Sequence, residues 1–575
     1  MHGPRQTLVD RRRVSLLGRL CGPGALSASM AAMKPASRQS RELISDQTTA
    51  WEWGMKLWMK QHRGAVSVAV VGFWLGVIGL SLALSGQFFS HPLLAFRQAL
   101  GLDRQTAHMA AGAQAQSPGP GQPAFAQAQA NGEQADDPLT TRDATGWVRT
   151  ISHDVGQDGA IDTNNAFFKS LGTNGRSCAS CHVQSAAWSI TPSELQARFA
   201  ATGGTDPIFR LNDGANSPNA NVTTLNARRN AYSMLLRRGL IRVGIGIPAT
   251  AEFTLADVQD PYGYASTSEL SLFRRVLPST NLNFLTGLMW DGRETVTPFL
   301  PPMDAGQANT ALQTALIQQG THATLGHAQA TAAPSSDQLA EIVSFETGLT
   351  TAQIFDDEAE FLNADDAIGG PRVLASQRFH VGINDTLGAD PTGALFDPGS
   401  MNLYAAWAQA GNRGERSRER GSVARGEALF NHMPITITGV GGLNDALGVP
   451  TIAGTCTTCH DSPNVGNHSV RLPLNIGLTD ASRRTPDMPL YTLRNKTTGA
   501  TVQTTDPGLA LISGKWKDIG RFKGPVLRGL AARPPYFHNG LAASLTDVIN
   551  FYDTRFAINM DPGQKRDLVA FLRSL

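Results

Sequence analysis

Cysteine is scarce, with five residues in 575. That excludes a disulfide-stapled secreted scaffold, which needs a dense and even set of thiols. Charge is sparse as well, at 17% of residues, and nearly balanced, at 49 Lys and Arg against 47 Asp and Glu. A nucleic-acid binder would need a basic face on its folded part. The basic excess lies elsewhere: residues 1–63 hold 11 basic and 4 acidic residues, leaving 38 basic and 43 acidic in the remaining 512. No nucleic-acid partner is expected. The hydrophobic content of 41% is that of a globular protein, and the length suffices for two or three domains.

No charge interrupts Gly64 to Phe89, where AVSVAVVGFWLGVIGLSLAL is nearly all apolar or small. Such a run can cross a hydrocarbon core of ~30 Å as a helix. Lys56, Lys60 and Arg63 precede it, and the flank behind it is uncharged until Arg97. The positive-inside rule then puts residues 1–63 in the cytoplasm and the rest outside, on the periplasmic side of a bacterial inner membrane. A cleaved signal peptide is the rival reading. The length of the run, with no small-x-small site close behind it, favours a transmembrane anchor at 64–89. Met55 and Met59 would make a tidy signal-anchor beginning, so residues 1–54 read as a cytoplasmic extension or an overlong start. Residues 90–140 include AQAQSPGPGQPAFAQAQA, which cannot bury enough surface to fold and reads as a disordered linker.

Four of the cysteines fall in Cys178-Ala-Ser-Cys181-His182 and Cys456-Thr-Thr-Cys459-His460. Thiols three residues apart can add to the two vinyl groups of one haem, and the adjacent imidazole then reaches the iron. A zinc knuckle would need a second ligand pair close by, and the motifs lie about 280 residues apart. A redox CxxC pair has no use for a following His twice. The spacing therefore predicts two covalently bound haem c groups. Cys21 has no assigned role.

The motifs sit in a repeated plan. The first unit has AFFKSLG (Ala166–Gly172), then the haem motif, then DQLAEIVSFE (Asp337–Glu346); the second has RGEALF, its motif and QKRDLVAFL (Gln564–Leu572). Leu339, Ile342, Val343 and Phe345 follow a helical period, as do Leu568, Val569, Phe571 and Leu572. An opening helix, a haem motif and a closing amphipathic helix make up a class I cytochrome c domain. The expected fold is mainly α: cytochrome c-like domains at 141–347 and 415–575, joined by a Gly- and Asp-rich connection at 348–414 and preceded by the N-terminal transmembrane helix.

Two further segments carry a resemblance. One is Met289-Trp290-Asp291-Gly292-Arg293; the other is RFKGPVLRGLAARPPYFHNGLAASLTDVINFYD, Arg521–Asp553. Together with the haem motifs they resemble the bacterial dihaem cytochrome c peroxidase and MauG family, over about 400 residues from Phe167 onward. The resemblance implies His182 and His460 as proximal ligands, Trp290 as the bridge between the haems with Arg293 beside it, and Tyr552 at the second haem's distal position. The family places Met there in the peroxidases and Tyr in MauG. A tyrosinate favours ferric iron and a thioether ferrous iron; Met560 is the rival ligand. His538 is expected to orient a propionate or backbone group. A bridging calcium also belongs to the resemblance, although no Asp-rich loop demands one.

The chain departs from the family after WDGR. Gln307 is in place, but Thr310 stands where the family has a distal Glu. Peroxide cleavage needs a group that moves a proton between the two oxygens. His327 is the first candidate, as acid–base or as a ligand closing the iron; Glu294 is another, and His322 lies nearby. The expected function is reduction of hydrogen peroxide with electrons from a small cytochrome c or cupredoxin. Long-range oxidation of a partner protein, as in MauG, and plain electron transfer remain as alternatives.

Overall fold

Short apolar runs around the first haem motif become strands rather than helices. The structure, a computed structural model, describes residues 137–295, 305–409 and 414–575, the side chains of 305–309 excepted. Helix makes up 32% and strand 16%, with four sheets among the described residues. The mainly-α expectation is therefore corrected. The cause is local: Leu240–Ile245, Phe253–Gln259 and Leu270–Arg275 are short β-branched or aromatic runs with too few residues for two helical turns. The last of them is buried at every position, Arg274 and Arg275 included, which alternation of polarity cannot signal.

The transmembrane expectation falls outside what the structure describes. Residues 64–89 lie outside the described residues, and no helix among those described is long and apolar enough to cross a membrane. The longest, Ala305–Gly326, is broken up by Gln, Thr and Asn.

The sheets draw on distant parts of the chain. Gly146–Ile151 pairs antiparallel with Thr350–Asp356, and Phe253–Gln259 pairs with Leu490–Asn495 across more than 230 residues of sequence. Residues 348–414, beyond the strands Thr350–Asp356 and Glu360–Phe361, bury Tyr404 and Trp407 in the core beside Phe430 and Phe571.

Both closing helices form. Ser336–Gly348 starts on a capping box from Ser335 and Gln338 and buries Leu339, Ile342, Val343 and Phe345, as the period requires. Pro562–Arg573 starts on Asp561 and buries Leu568, Phe571 and Leu572. The opening elements differ. RGEALF lies inside the helix Glu415–His432, whereas Ala166–Phe168 is a single 3-10 turn that rests its Phe167 ring 4.8 Å from Phe345.

The helices Glu415–His432 and Pro562–Arg573 cross at Gly426. A Cβ there would lie 2.0 Å from the Asp567 carbonyl oxygen and 2.7 Å from Phe571 Cβ. Asp567 also accepts from Ser422 Oγ at 2.6 Å and Arg425 Nε at 2.7 Å, pinning the crossing. Gly426→Val is expected to cost about 1–3 kcal/mol, as overpacking at a tight contact does. A denaturant midpoint unchanged from the parent protein would refute this account of the crossing.

Candidate active site

Each haem motif is a 3-10 turn whose geometry is fixed by its own side chains. Ser177 and Ser180 cap Cys178–Ser180 reciprocally, and Thr455 and Thr458 do the same for Cys456–Thr458. The histidine then follows the second thiol directly. His182 Nδ1 lies 3.1 Å from the Trp188 carbonyl oxygen and His460 Nδ1 lies 2.6 Å from that of Gly466. An Nδ1–H donated to a carbonyl fixes the tautomer and leaves Nε2 with its lone pair for a metal. Burial holds both imidazoles neutral, lowering each to about 4.

The acceptor carbonyls come from turns in the left-handed region. Gly466 has φ +76°, which glycine adopts freely. Ala187 and Trp188 have φ 47° and 60°, an outlying conformation for a bulky residue. Packing sustains it: Trp188 is fully buried against Phe167 and Phe345 and donates its indole N–H to Thr150 Oγ1 at 3.0 Å.

The four thiols are unbridged. Burial raises all of them, Cys181 to about 11 and both Cys456 and Cys459 to about 12, with Cys178 also raised. A redox or metal-binding thiol pair needs the opposite shift, toward the thiolate. Among the described residues no group of three His, Cys, Asp or Glu stands ready to hold a metal ion. The donor sets thus fit haem attachment, with Cys178, Cys181 and His182 at one group and Cys456, Cys459 and His460 at the other, and no calcium cage is seen beside them.

The first motif opens on a cleft lined by Cys178, Cys181, His182, Trp290, His327 and Glu346. It encloses about 1560 Å³ counting its solvent-open mouth. His327 Nδ1 is bonded to the carboxylate of Asp213. Asp213 in turn pairs with Arg176 Nη1 at 2.5 Å, and Arg176 is further held by the carbonyls of Pro207 and Ile208 at 2.8 and 2.6 Å. Burial works to raise the Asp213 carboxyl, but His327 and Arg176 hold it below the usual range. The result is an imidazole oriented by a buried carboxylate, Nε2 again left for chemistry.

Trp290 donates its indole N–H to the Arg275 carbonyl at 2.8 Å and sets its ring edge-on to His538, 6.1 Å away. His538 stacks on Phe522 at 3.9 Å. It is buried, lowered by burial to about 4, and neither ring nitrogen has a hydrogen-bond partner. Arg293 lines the cleft and pairs with Asp291 at 3.1 Å. Glu294 is instead taken by His322 at 3.0 Å, and neither lines the cleft. Gln307 belongs to the helix Ala305–Gly326, its side chain outside what is described.

At the second motif, Tyr552 sits on the helix Leu545–Phe556. Burial, and the thiols of Cys459 and Cys456, push its phenol up, and its ring packs on Phe551 and Phe556. Met560 packs into the core with Leu568 and Phe571, and its backbone N–H donates to Asp553. Sequence reasoning missed Asp213, Arg176 and Glu346. Arg176, two residues before Cys178, was a local signal; Asp213 lies 114 residues from its partner and carried none.

No family model matches the chain. It is 27% identical over 140 residues to the cytochrome-c peroxidase IdrP1 of Pseudomonas sp. (strain SCT), covering 21% of this chain and 36% of that protein. It is 28% identical over 141 residues to the cytochrome-c peroxidase IdrP2 of Denitromonas iodatirespirans, covering 23% and 38%. The chain thus spans little more than a third of the length of these curated relatives. Among solved structures, a MauG-like protein associated with microbial copper homeostasis shares 15% identity over 72% of this chain and 87% of its own, with a TM-score of 0.30. A variant of the diheme peroxidase BthA from Burkholderia thailandensis shares 17% over 76% and 95%, with a TM-score of 0.26. Neither score reaches the level at which a shared fold follows. Over about a fifth of its length, then, the chain is similar to bacterial cytochrome-c peroxidases.

Proposed function

We propose that this chain is a dihaem c-type oxidoreductase that reduces hydrogen peroxide to two waters with two protons and two electrons from a small donor protein. One observation carries the reading: His182, its Nδ1 tied to a carbonyl, shares a cleft with His327, its Nδ1 tied to a buried carboxylate. Haem attached at each motif would supply the redox-active iron, with Nε2 of His182 and His460 as its protein ligands. His327 Nε2 takes a proton from the near oxygen of peroxide and returns one to the far oxygen as the O–O bond breaks. Asp213 stabilises the imidazolium formed in between, and Arg176 keeps Asp213 in place. Trp290 carries electrons between the motifs, its ring held by the Arg275 carbonyl.

Tyr552 supports a second reading, in which the oxidising equivalents pass to a partner protein as in MauG. A phenol as ligand at the second motif would favour ferric iron, where a thioether would favour ferrous iron.

The test mixes the haem-loaded protein with hydrogen peroxide and a reduced small cytochrome c, following donor oxidation and the haem spectrum together. Rapid donor oxidation is expected. A long-lived oxidised spectrum without donor turnover would transfer the assignment to partner oxidation, and a spectrum that never responds to peroxide would end the enzyme reading.

A further inference from the structure

We propose that Lys523 and Arg275 form a carboxylate clamp at the Trp290 end of the cleft, which the propionate edge of a haem attached at Cys178 and Cys181 would occupy. Six lysines and arginines line the cleft; three have an acidic partner, and Lys169 is exposed to solvent. Arg176 has Asp213, Arg274 has Asp291 and Asp506, and Arg293 has Asp291. Lys523 and Arg275 have none, although they are only 9% and 5% exposed. Lys523 donates its backbone N–H to the Trp290 carbonyl at 2.8 Å, and no hydrogen bond or ion pair engages its ammonium among the described residues. Arg275 reaches only the carbonyls of Arg238, Gly239, Arg533 and Pro534, at 3.2 to 3.4 Å.

Two buried cations with no acid bonded to them are costly; Arg533 repels both, and Glu194 acts on Arg275 without forming an ion pair. Burial, with that repulsion behind it, pushes Lys523 down to about 8 and Arg275 to about 9. An arriving anion would reverse that. The position of the pair says which anion. Both flank Trp290, one through its carbonyl and one through its indole N–H. The thiols lie on and directly after the turn Cys178–Ser180, and among the described residues neither side chain of the clamp is hydrogen-bonded to that turn. A porphyrin joined to cysteines through its vinyl edge carries its two carboxylates on the opposite edge, so a tetrapyrrole lying in the cleft would present them to Lys523 and Arg275. Glu346 does not take their place: its carboxyl is engaged by Ser279 and acts on Cys178, and no ion pair joins it to Lys523 or Arg275 among the described residues. This inference rests on the haem-attachment reading above.

The experiment compares the full haem-loaded protein with Lys523→Met and Lys523→Arg, measuring haem content, the reduction potential of each haem and the thermal midpoint, with and without added acetate. Losing the ammonium leaves a carboxylate uncompensated near the iron and favours the ferric state. Lys523→Met is expected to shift the ferrous-to-ferric ratio of one haem about tenfold toward ferric, or about 59 mV for one electron. The other haem should be unmoved and Lys523→Arg should restore the first. Potentials indifferent to acetate identify the propionate as the occupant. A potential or midpoint that responds to acetate only when Lys523 is present identifies a free carboxylate in the same clamp. Two haems retained in Lys523→Met with unchanged potentials, a raised midpoint and no acetate response would overturn the clamp. Absence of haem from the first motif would instead overturn the attachment reading and the propionate with it; the acetate response of the midpoint then decides the clamp alone.

Discussion

Replacing His327 with alanine is expected to lower peroxide turnover by about 10²–10⁴-fold, the range of a lost general acid–base, while both haems stay attached. His327 contributes no thiol and no proximal nitrogen, so attachment at CASCH should not depend on it. Asp213→Asn should cost less, about 10–100-fold, because the imidazole remains but loses the carboxylate that fixes its tautomer and steadies its cation. The two losses should not add in the double variant, since Asp213 acts only through His327. Steady-state turnover and the resting spectrum together decide the role. If His327→Ala turns over as fast as the parent or faster, and its spectrum shows a newly opened iron, His327 is a ligand that closes the site and not its proton carrier.

Arg274→Leu is expected to destabilise the haem-loaded protein by about 3–5 kcal/mol, the cost of breaking a buried ion pair from one side. Arg274 is 2% exposed. Its Nε and Nη2 bond the two oxygens of Asp506 at 2.7 and 2.9 Å, and its Nη1 bonds Asp291 at 2.5 Å. One guanidinium therefore ties the strand Leu270–Arg275 to the turn that carries Trp290 and to a segment more than 200 residues later. Removing it strands two buried carboxylates. The sign with pH follows from Asp291: burial works to raise its carboxyl, but Arg274 and Arg293 hold it below its usual value. A depressed carboxyl contributes stability above its unfolded pKa of ~3.9 and loses it as pH falls through the folded value. Parent and variant should thus differ most at neutral pH and converge in acid. Denaturant midpoints at pH 7 and in acid check this; a constant gap would show that Arg274 acts by packing and not by charge.

The closing helices, and the turns that carry the two CxxCH motifs, were legible because their causes are local. Two thiols and an imidazole within five residues need no tertiary partner to be recognised, and a carbonyl six residues on completes the ligand's orientation within the same turn. The closing helices could be read from a 3.6-residue period bounded by the caps at Ser335 and Asp561. The strands were not legible: runs of six or seven residues satisfy several patterns, and their partners lie up to hundreds of residues away. Leu270–Arg275 was hardest, because a strand ending in two arginines reads as reaching solvent when both are in fact buried.

The sequence by itself determined what each motif can bind, since thiol addition and imidazole ligation are properties of residue type and short spacing. Only the tertiary structure decided which groups work together. His327 was the first candidate in the chain, with Glu294 and His322 beside it; folding gives Glu294 to His322 and gives Asp213 to His327, which lines the cleft of the first motif. Lys523 and Arg275 are unremarkable as letters, and only their shared burial without an acid marks them as waiting for an anion. Charge pairing across long sequence separations depends on where the backbone returns, and that is set by the packing of the whole core, not by any segment of it.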